Sequence, residues 1–359
     1  MTPFDAAWLG AAIRLAAPLL LAATGETVAE RAGVINIGLE GMMLSGAFAG
    51  YAIGAATGDP WLGMLGALVV GLLVGLATAL VTVIAKADQI VVGVGLNLLA
   101  LGATTFLFRD MFSDAAEKVG PIGRFAIPLL SDIPGIGDAL FNQSPLVYVA
   151  FLSVPAMGLM LSRTNFGLSI RAAGDSPSAL DTAGVNVTAI RVVATALAAG
   201  LASLGGAFLS VGQLGMFNEN MTAGRGFLAL AAVIFGRWRS TTVMVACVLF
   251  GMVDALQLRL QSVGEIPRGV WAVVVLVALV AAVMSSPLRH RMRPGALLAS
   301  AGLCLVAGWC WIAQPTWTLP SQIWLALPYA LTLIALASLQ NTDDSPLELG
   351  VPYSRNGGR

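Results

Sequence analysis

TVAERAGVINIGLEGMMLSG, residues Thr27 to Gly46, governs how the rest of the chain is read. It sets Glu30, Arg31, Asn36 and Glu40 among Gly33, Gly38 and Gly41, in a chain otherwise apolar enough for lipid. Polar groups and helix-breaking glycines are tolerated at membrane depth only where protein or a water-filled path satisfies them, so the stretch marks a functional element.

The composition outside it supports the same setting. With 57% hydrophobic residues, 11% charged residues, 41 glycines in 359 and a mean hydropathy of +0.85, the chain departs from a soluble domain toward a multi-span membrane protein. Its 19 basic and 19 acidic residues balance, which gives no reason to expect nucleic acid or a strongly charged cargo. Cys247, Cys304 and Cys310 sit in apolar runs without metal-ligand spacing and read as small packing residues, so no metal is expected. The N-terminus lacks the basic region of a signal peptide, and the first apolar segment is expected to remain in the mature protein.

Apolar runs of crossing length fall at 6–24, 36–57, 61–85, 89–108, 145–162, 188–211, 241–261, 269–286, 295–313 and 322–340. Gly226 to Gly236 is too short to span and reads as a half-helix. The expectation is an all-α polytopic membrane fold of about ten transmembrane helices plus that half-helix, with one helix broken near residues 32–40. The stretch around Asn36 is either a connection or a gap in one long helix. The membrane domain takes 1–342 and a cytoplasmic tail 343–359.

Basic residues orient these spans. The cluster Arg289, His290, Arg291 and Arg293, the pair Arg237 and Arg239, and the loop bearing Arg163, Arg171 and Arg191 are all expected on the cytoplasmic side. They share that side if the half-helix counts as a crossing. The segment 109–144, with three basic and five acidic residues, then lies outside. Tryptophans 309, 311, 317 and 324 read as an interfacial belt. Gly46, Gly50 and Gly54, like Gly71 and Gly75, repeat every four residues and predict close helix packing.

The loop at 163–187 reads RTNFGLSIRAAGDSPSALDTAGVNV. Ser176 as N-cap, Pro177 in the first turn and Gly184 as a stop frame one short helix from Pro177 to Ala183. A polar loop longer than its connection needs is either a docking element for a cytosolic partner or an ordinary solvated turn.

Three stretches carry a family resemblance: ERAGVINIGLEGMM from Glu30 to Met43, RAAGDSPSALDTAGVNV from Arg171 to Val187, and TAGRGFLALAAVIFGRW from Thr222 to Trp238. Together they resemble the permease subunits of bacterial ABC importers, in the family of ribose and branched-chain amino-acid permeases and its nucleoside-type branch. LGVPY, Leu349 to Tyr353, resembles that branch as well. The resemblance implies a multi-pass protein of the bacterial inner membrane that imports nucleosides by alternating access. It also implies a second permease subunit, a cytosolic ABC ATPase and an extracytoplasmic substrate-binding lipoprotein, which would meet the 109–144 loop. By the same resemblance Ala172, Gly174, Asp175, Ser176, Pro177, Asp181, Ala183 and Gly184 dock the ATPase. Leu180 stands where many relatives carry alanine, and Asp343 and Asp344 where basic residues are common.

No GxxxxGK[ST] phosphate loop occurs, so the chain is not expected to be an enzyme and needs no cofactor of its own, ATP being bound by the partner. Asn36, Glu40 and Asn97 are the candidates for the substrate pathway, because an amide donates and accepts and so matches the mixed edges of a nucleobase or ribose. Asn97 could equally make an interhelical hydrogen bond, and Glu40 could pair with Arg31 or cap backbone at the break. A permease for a simple sugar such as ribose is the rival within the family. An ion-coupled secondary transporter is the rival outside it, also built on broken helices.

Overall fold

The computed structural model describes residues 5–112, 118–120, 122–134, 137–263, 326, 330 and 345–354. The spans expected at 269–286 and 295–313, most of 322–340, the Arg289 to Arg293 cluster, Asp343, Asp344, Cys304, Cys310 and the four tryptophans lie outside the described residues.

Six described helices are long and apolar enough to cross a membrane. They are α1 (Ala6–Arg31), α3 (Pro60–Ala79, continued by a π turn to Ile84), α4 (Gln89–Met111), α6 (Pro145–Arg163), α9 (Val187–Ala207, continued by a π segment to Leu214) and α11 (Ser240–Val263). Between them lie α2 (Leu39–Thr57), the short α5 (Gly137–Phe141), α7 (Asn165–Asp175), α8 (Pro177–Thr182) and α10 (Arg225–Phe235). A two-residue pairing of β1 (Phe125–Ala126) with β2 (Asn142–Gln143) is the one exception to the helical class among the described residues. Local chemistry sets several starts: Asp5, Asp59, Asp88 and Asn186 each cap a first turn by accepting a backbone N–H. Pro60 and Pro145 occupy first-turn positions, where a missing N–H costs nothing.

α9 is the post around which α1, α2 and α3 pack. Gly25 lies on Ala198 and Gly205 on the Pro18 carbonyl, so α1 runs antiparallel to α9. Ser203 Oγ bonds the Met42 carbonyl and Ser210 Oγ the Ala47 carbonyl, so α2 runs parallel to it. The small-residue spacing does what lipid-embedded interfaces require: a Cβ on Gly46 would enter the Ser203 backbone, and one on Gly75 would lie 2.6 Å from Ala199 Cβ.

α1 and α2 are therefore antiparallel, and the break at 32–38 is not a gap in one long helix. It is the extended first half of the next crossing, whose second half is α2. The helix expected to begin at residue 36 begins at Leu39. The half-helix makes a second crossing of the same kind. Its approach begins at Gly215, whose carbonyl accepts the Val119 N–H. Its far end is at Trp238, whose carbonyl accepts the Arg31 Nε–H. The segment 215–238 thus runs from one end of the bundle to the other. Arg237, Arg239 and the 163–187 loop lie at the Arg31 end, as the positive-residue placement requires. The opposite end holds Asp5, which accepts from both Nη atoms of Arg259 at 2.8 and 2.7 Å. Asp5 and the loop at 163–187 are at opposite ends of the bundle.

Candidate functional site

Two helix starts meet inside the bundle. α2 opens beside Ser203 in the outer half of α9, and the first turn of α10 packs on Glu40, where a Cβ at Gly226 would collide with the Glu40 backbone. The Glu40 carboxylate accepts from Thr222 Oγ1 at 2.5 Å, Gly224 N at 2.8 Å and Gly226 N at 2.6 Å. A carboxylate at the start of a helix satisfies N–H groups that have no partner within it and lies at the positive end of its dipole. Glu40 caps backbone, but the helix it caps is α10 rather than the break at 32–40 where a cap was expected. The TAGRG sequence supplies the donors because Gly224, at φ +83°, turns the backbone into α10 and Gly226 lets α2 approach.

Asn97 fixes the same break from the other side. Its Oδ1 accepts the Gly41 N–H at 2.7 Å and its Nδ2 donates to the Ile37 carbonyl at 2.9 Å, which ties α4 to both flanks of Gly38. Asn36 lies beneath: its N–H donates to Glu26 Oε1 at 3.1 Å and its Nδ2 to the Met42 sulfur at 3.1 Å. The buried Asn36 Oδ1 and Glu26 Oε2 have no hydrogen-bond partner. Asn36, Glu40 and Asn97 are thus brought to one polar knot, each with protein partners. Glu26, with 0% exposure, belongs to this knot and escaped the sequence reading, because a lone glutamate near the end of an apolar helix looks like an interfacial residue. One helical turn on, Glu30 accepts a hydrogen bond from the Trp238 indole and ties α1 to the end of α10.

The loop at 163–187 holds two helices where one was expected. α7 was missed although its signal is local: Thr164 caps its first turn by accepting the Gly167 N–H, Phe166 and Ile170 share a face that packs on the ends of α1 and α6, and Ala173 packs on Leu180 and Val187. Ser176 sits between α7 and α8 but its side chain makes no capping bond, a correction to its expected role. Gly184 stops α8 at φ +82°, as expected of a left-handed stop. The docking candidates divide by face. Asp175, Ser176, Ala183 and Gly184 are exposed, Ala172 and Asp181 are half-buried, and Pro177 and Gly174 are buried. Gly174 faces inward onto the Arg31 carbonyl and the Gly33 amide. Arg191, expected as a loop charge, is in the first turns of α9 and only 2% exposed.

Two half-broken crossings meeting mid-span, with a helical loop pressed on the end of one of them, are an arrangement that membrane transporters use. The family follows from comparison: residues 9–284 match the branched-chain amino acid transport system / permease component family, and the chain belongs to it. It is a transporter component and a multi-pass membrane protein. It is 39% identical over 264 residues to a putative glucose ABC transporter permease of Haloferax volcanii, covering 72% of this chain and 79% of that one. To a guanosine ABC transporter permease of Bacillus subtilis it is 37% identical over 256 residues, 68% of this chain and 79% of the relative. A nucleoside ABC transporter permease of Lactococcus lactis is 35% identical over 261 residues, 70% of this chain and 82% of the relative. No solved structure matches.

Proposed function

We propose that this chain is the membrane subunit of an ATP-driven importer and that its cargo is a nucleoside. The observation that carries the cargo class is the 35–37% identity, over about two thirds of the chain, to permeases named for nucleosides and for guanosine. A simple sugar is the second reading, favoured by the 39% relative named for glucose.

In this reading α7 and α8 receive a cytosolic ATPase on their exposed face, through Asp175, Ser176, Ala183 and Gly184. ATP binds to that partner. It drives the permease only through its different affinity for two conformational states, so closing the ATPase pair shifts the population from one to the other. A second permease subunit faces α4, of which Gln89, Gly93, Ala100 and Thr104 alone are buried among the described residues. The open face of α4 carries a groove of about 700 Å³ lined by Leu98, Leu101, Thr105, Phe106, Arg109 and Asp110. Its lining is mostly apolar, with Thr105, Arg109 and Asp110 as the polar groups that face a cargo once a partner closes it. An extracytoplasmic binding protein delivers cargo at the 109–144 end.

The test is uptake of labelled guanosine, uridine and glucose in cells with and without this gene. ATP is depleted in one arm, and in the other the proton gradient is collapsed at normal ATP. Gene-dependent nucleoside uptake lost only with ATP is the expected result. Uptake of glucose alone moves the cargo to sugars, and loss with the gradient at normal ATP overturns ATP-driven transport. Removal of Pro177 to Ala183 should abolish uptake, and survival of uptake would refute docking at α8.

A further inference from the structure

The tail segment at 348–353 is bound into the Arg31 end of the bundle. The Gly350 N–H donates to the Gly33 carbonyl at 3.0 Å, and the Glu348 N–H donates to the Gly174 carbonyl at 2.8 Å. Arg191 closes the joint from α9: Nη1 donates to the Val351 carbonyl at 2.7 Å and Nη2 to the Ala173 carbonyl at 3.0 Å. The Tyr353 side chain packs on Ala173, Leu180 and Val187. Leu180 is thereby part of the tail's seat. One short segment thus touches the helix break, the end of α7 and the buried side of α8.

We propose that residues 348–353 are a strap that carries movement of α7 and α8 into the break at 33–38, with Arg191 and Tyr353 as its positioning residues. The proposal rests on α7 and α8 being the ATPase dock. Its physical basis is that the Arg191 guanidinium is buried and bonded to carbonyls of two separate segments. Leaving such a charge without acceptors is costly, so α7 and the strap move together. The strap's bond to Gly33 then extends the movement to the chain that reaches Asn36 three residues later. A Cβ at Gly350 would lie 2.8 Å from Ile35 Cδ1, so strap and break are in direct packing contact as well. A tail that served only to fasten the bundle would affect stability and leave the energetics of transport alone.

The experiment uses the whole transporter in proteoliposomes: both permeases, the ATPase and the binding protein. Compared with the parent are a chain ending at Asp344, Tyr353→Ala, and Leu347→Ala as control, since Leu347 is 80% exposed. Cargo moved per ATP hydrolysed is measured beside ATPase retention. The expected result is that Tyr353→Ala and the truncation keep the ATPase bound and hydrolysing, yet move about three- to thirty-fold less cargo per ATP, while Leu347→Ala is unchanged. Unchanged cargo per ATP in Tyr353→Ala and the truncation overturns the proposal. So does a Tyr353→Ala complex that fails to assemble. Ala183→Arg separates this from the docking reading: an ATPase that still binds that variant with full affinity refutes the dock itself, whatever the strap variants do.

Discussion

The polar knot at Glu40 and the joint at Arg191 both join a helix end to a distant segment, and they do so with opposite chemistry. At the knot the acceptor is a carboxylate and the donors are N–H groups and a hydroxyl of Thr222 to Gly226. At the joint the donor is a guanidinium and the acceptors are carbonyls of α7 and the tail. The knot is enclosed by α2, α4 and α10, whereas the joint borders the exposed residues Asp175, Val351 and Pro352. The contrast teaches where each region can yield. A fully bonded, enclosed charge fixes geometry. A charge that bonds movable segments at a surface lets them shift as a unit.

Substitution of Glu40 is the strongest way to break the contrast. Glu40→Ala leaves two amides and a hydroxyl without their acceptor and should cost on the order of 3 kcal/mol or more, read as lost thermal stability in detergent. Glu40→Gln keeps the shape but turns an amide donor toward an N–H, so it should fall between parent and alanine variant. Were Glu40→Ala as stable as the parent, the knot would not be the rigid partner. Gly174→Val comes next: its side chain would enter the Arg31 carbonyl and push α7 off the break, with a cost of about 1–3 kcal/mol. That loss should come with weaker ATPase attachment, measured by co-purification, whereas Glu40→Gln should leave attachment intact. Asn97→Ala removes two interhelical bonds and should cost about 1–2 kcal/mol, with Asn97→Asp restoring only the bond from Gly41.

The smallest effect belongs to the periphery. Hydrogen bonds from Arg109 hold the Glu219 carboxyl below the usual carboxylate range, and those from Arg259 do the same for Asp5. Because folded-state values are depressed, these contributions are present above the unfolded carboxylate values of about 4 and are lost as pH falls through the folded ones. Both pairs are screened by water, so Glu219→Gln should lower thermal stability only slightly at neutral pH and remove an equally small part of its decline in acid. An equally steep acid decline in Glu219→Gln would move that linkage to other groups.

Much of the architecture was legible because hydrophobic length and breaker residues are local properties. The runs at 61–85, 89–108 and 145–162 match α3, α4 and α6 to within a few residues. Gly46 and Gly75 mark helix contacts as their spacing foretold. The candidate site was legible in its members, Asn36, Glu40 and Asn97, since amides and a carboxylate in apolar sequence stand out. Their partners were not. Nothing within the sequence around Glu40 points to Gly224 and Gly226, 184 and 186 residues away.

The sequence by itself determined a multi-span helical membrane protein, a break near residues 32–40, a half-helix at 226–236 and the loop that stops at Gly184. These follow from composition and from backbone preferences that act over a few residues. Tertiary structure alone decided that α1 and α2 are antiparallel, that Glu40 caps α10 and that Arg191 is buried under the tail. The reason is that a buried polar group takes whichever partner the packing brings within hydrogen-bonding distance, and that choice is made by helices far apart along the chain.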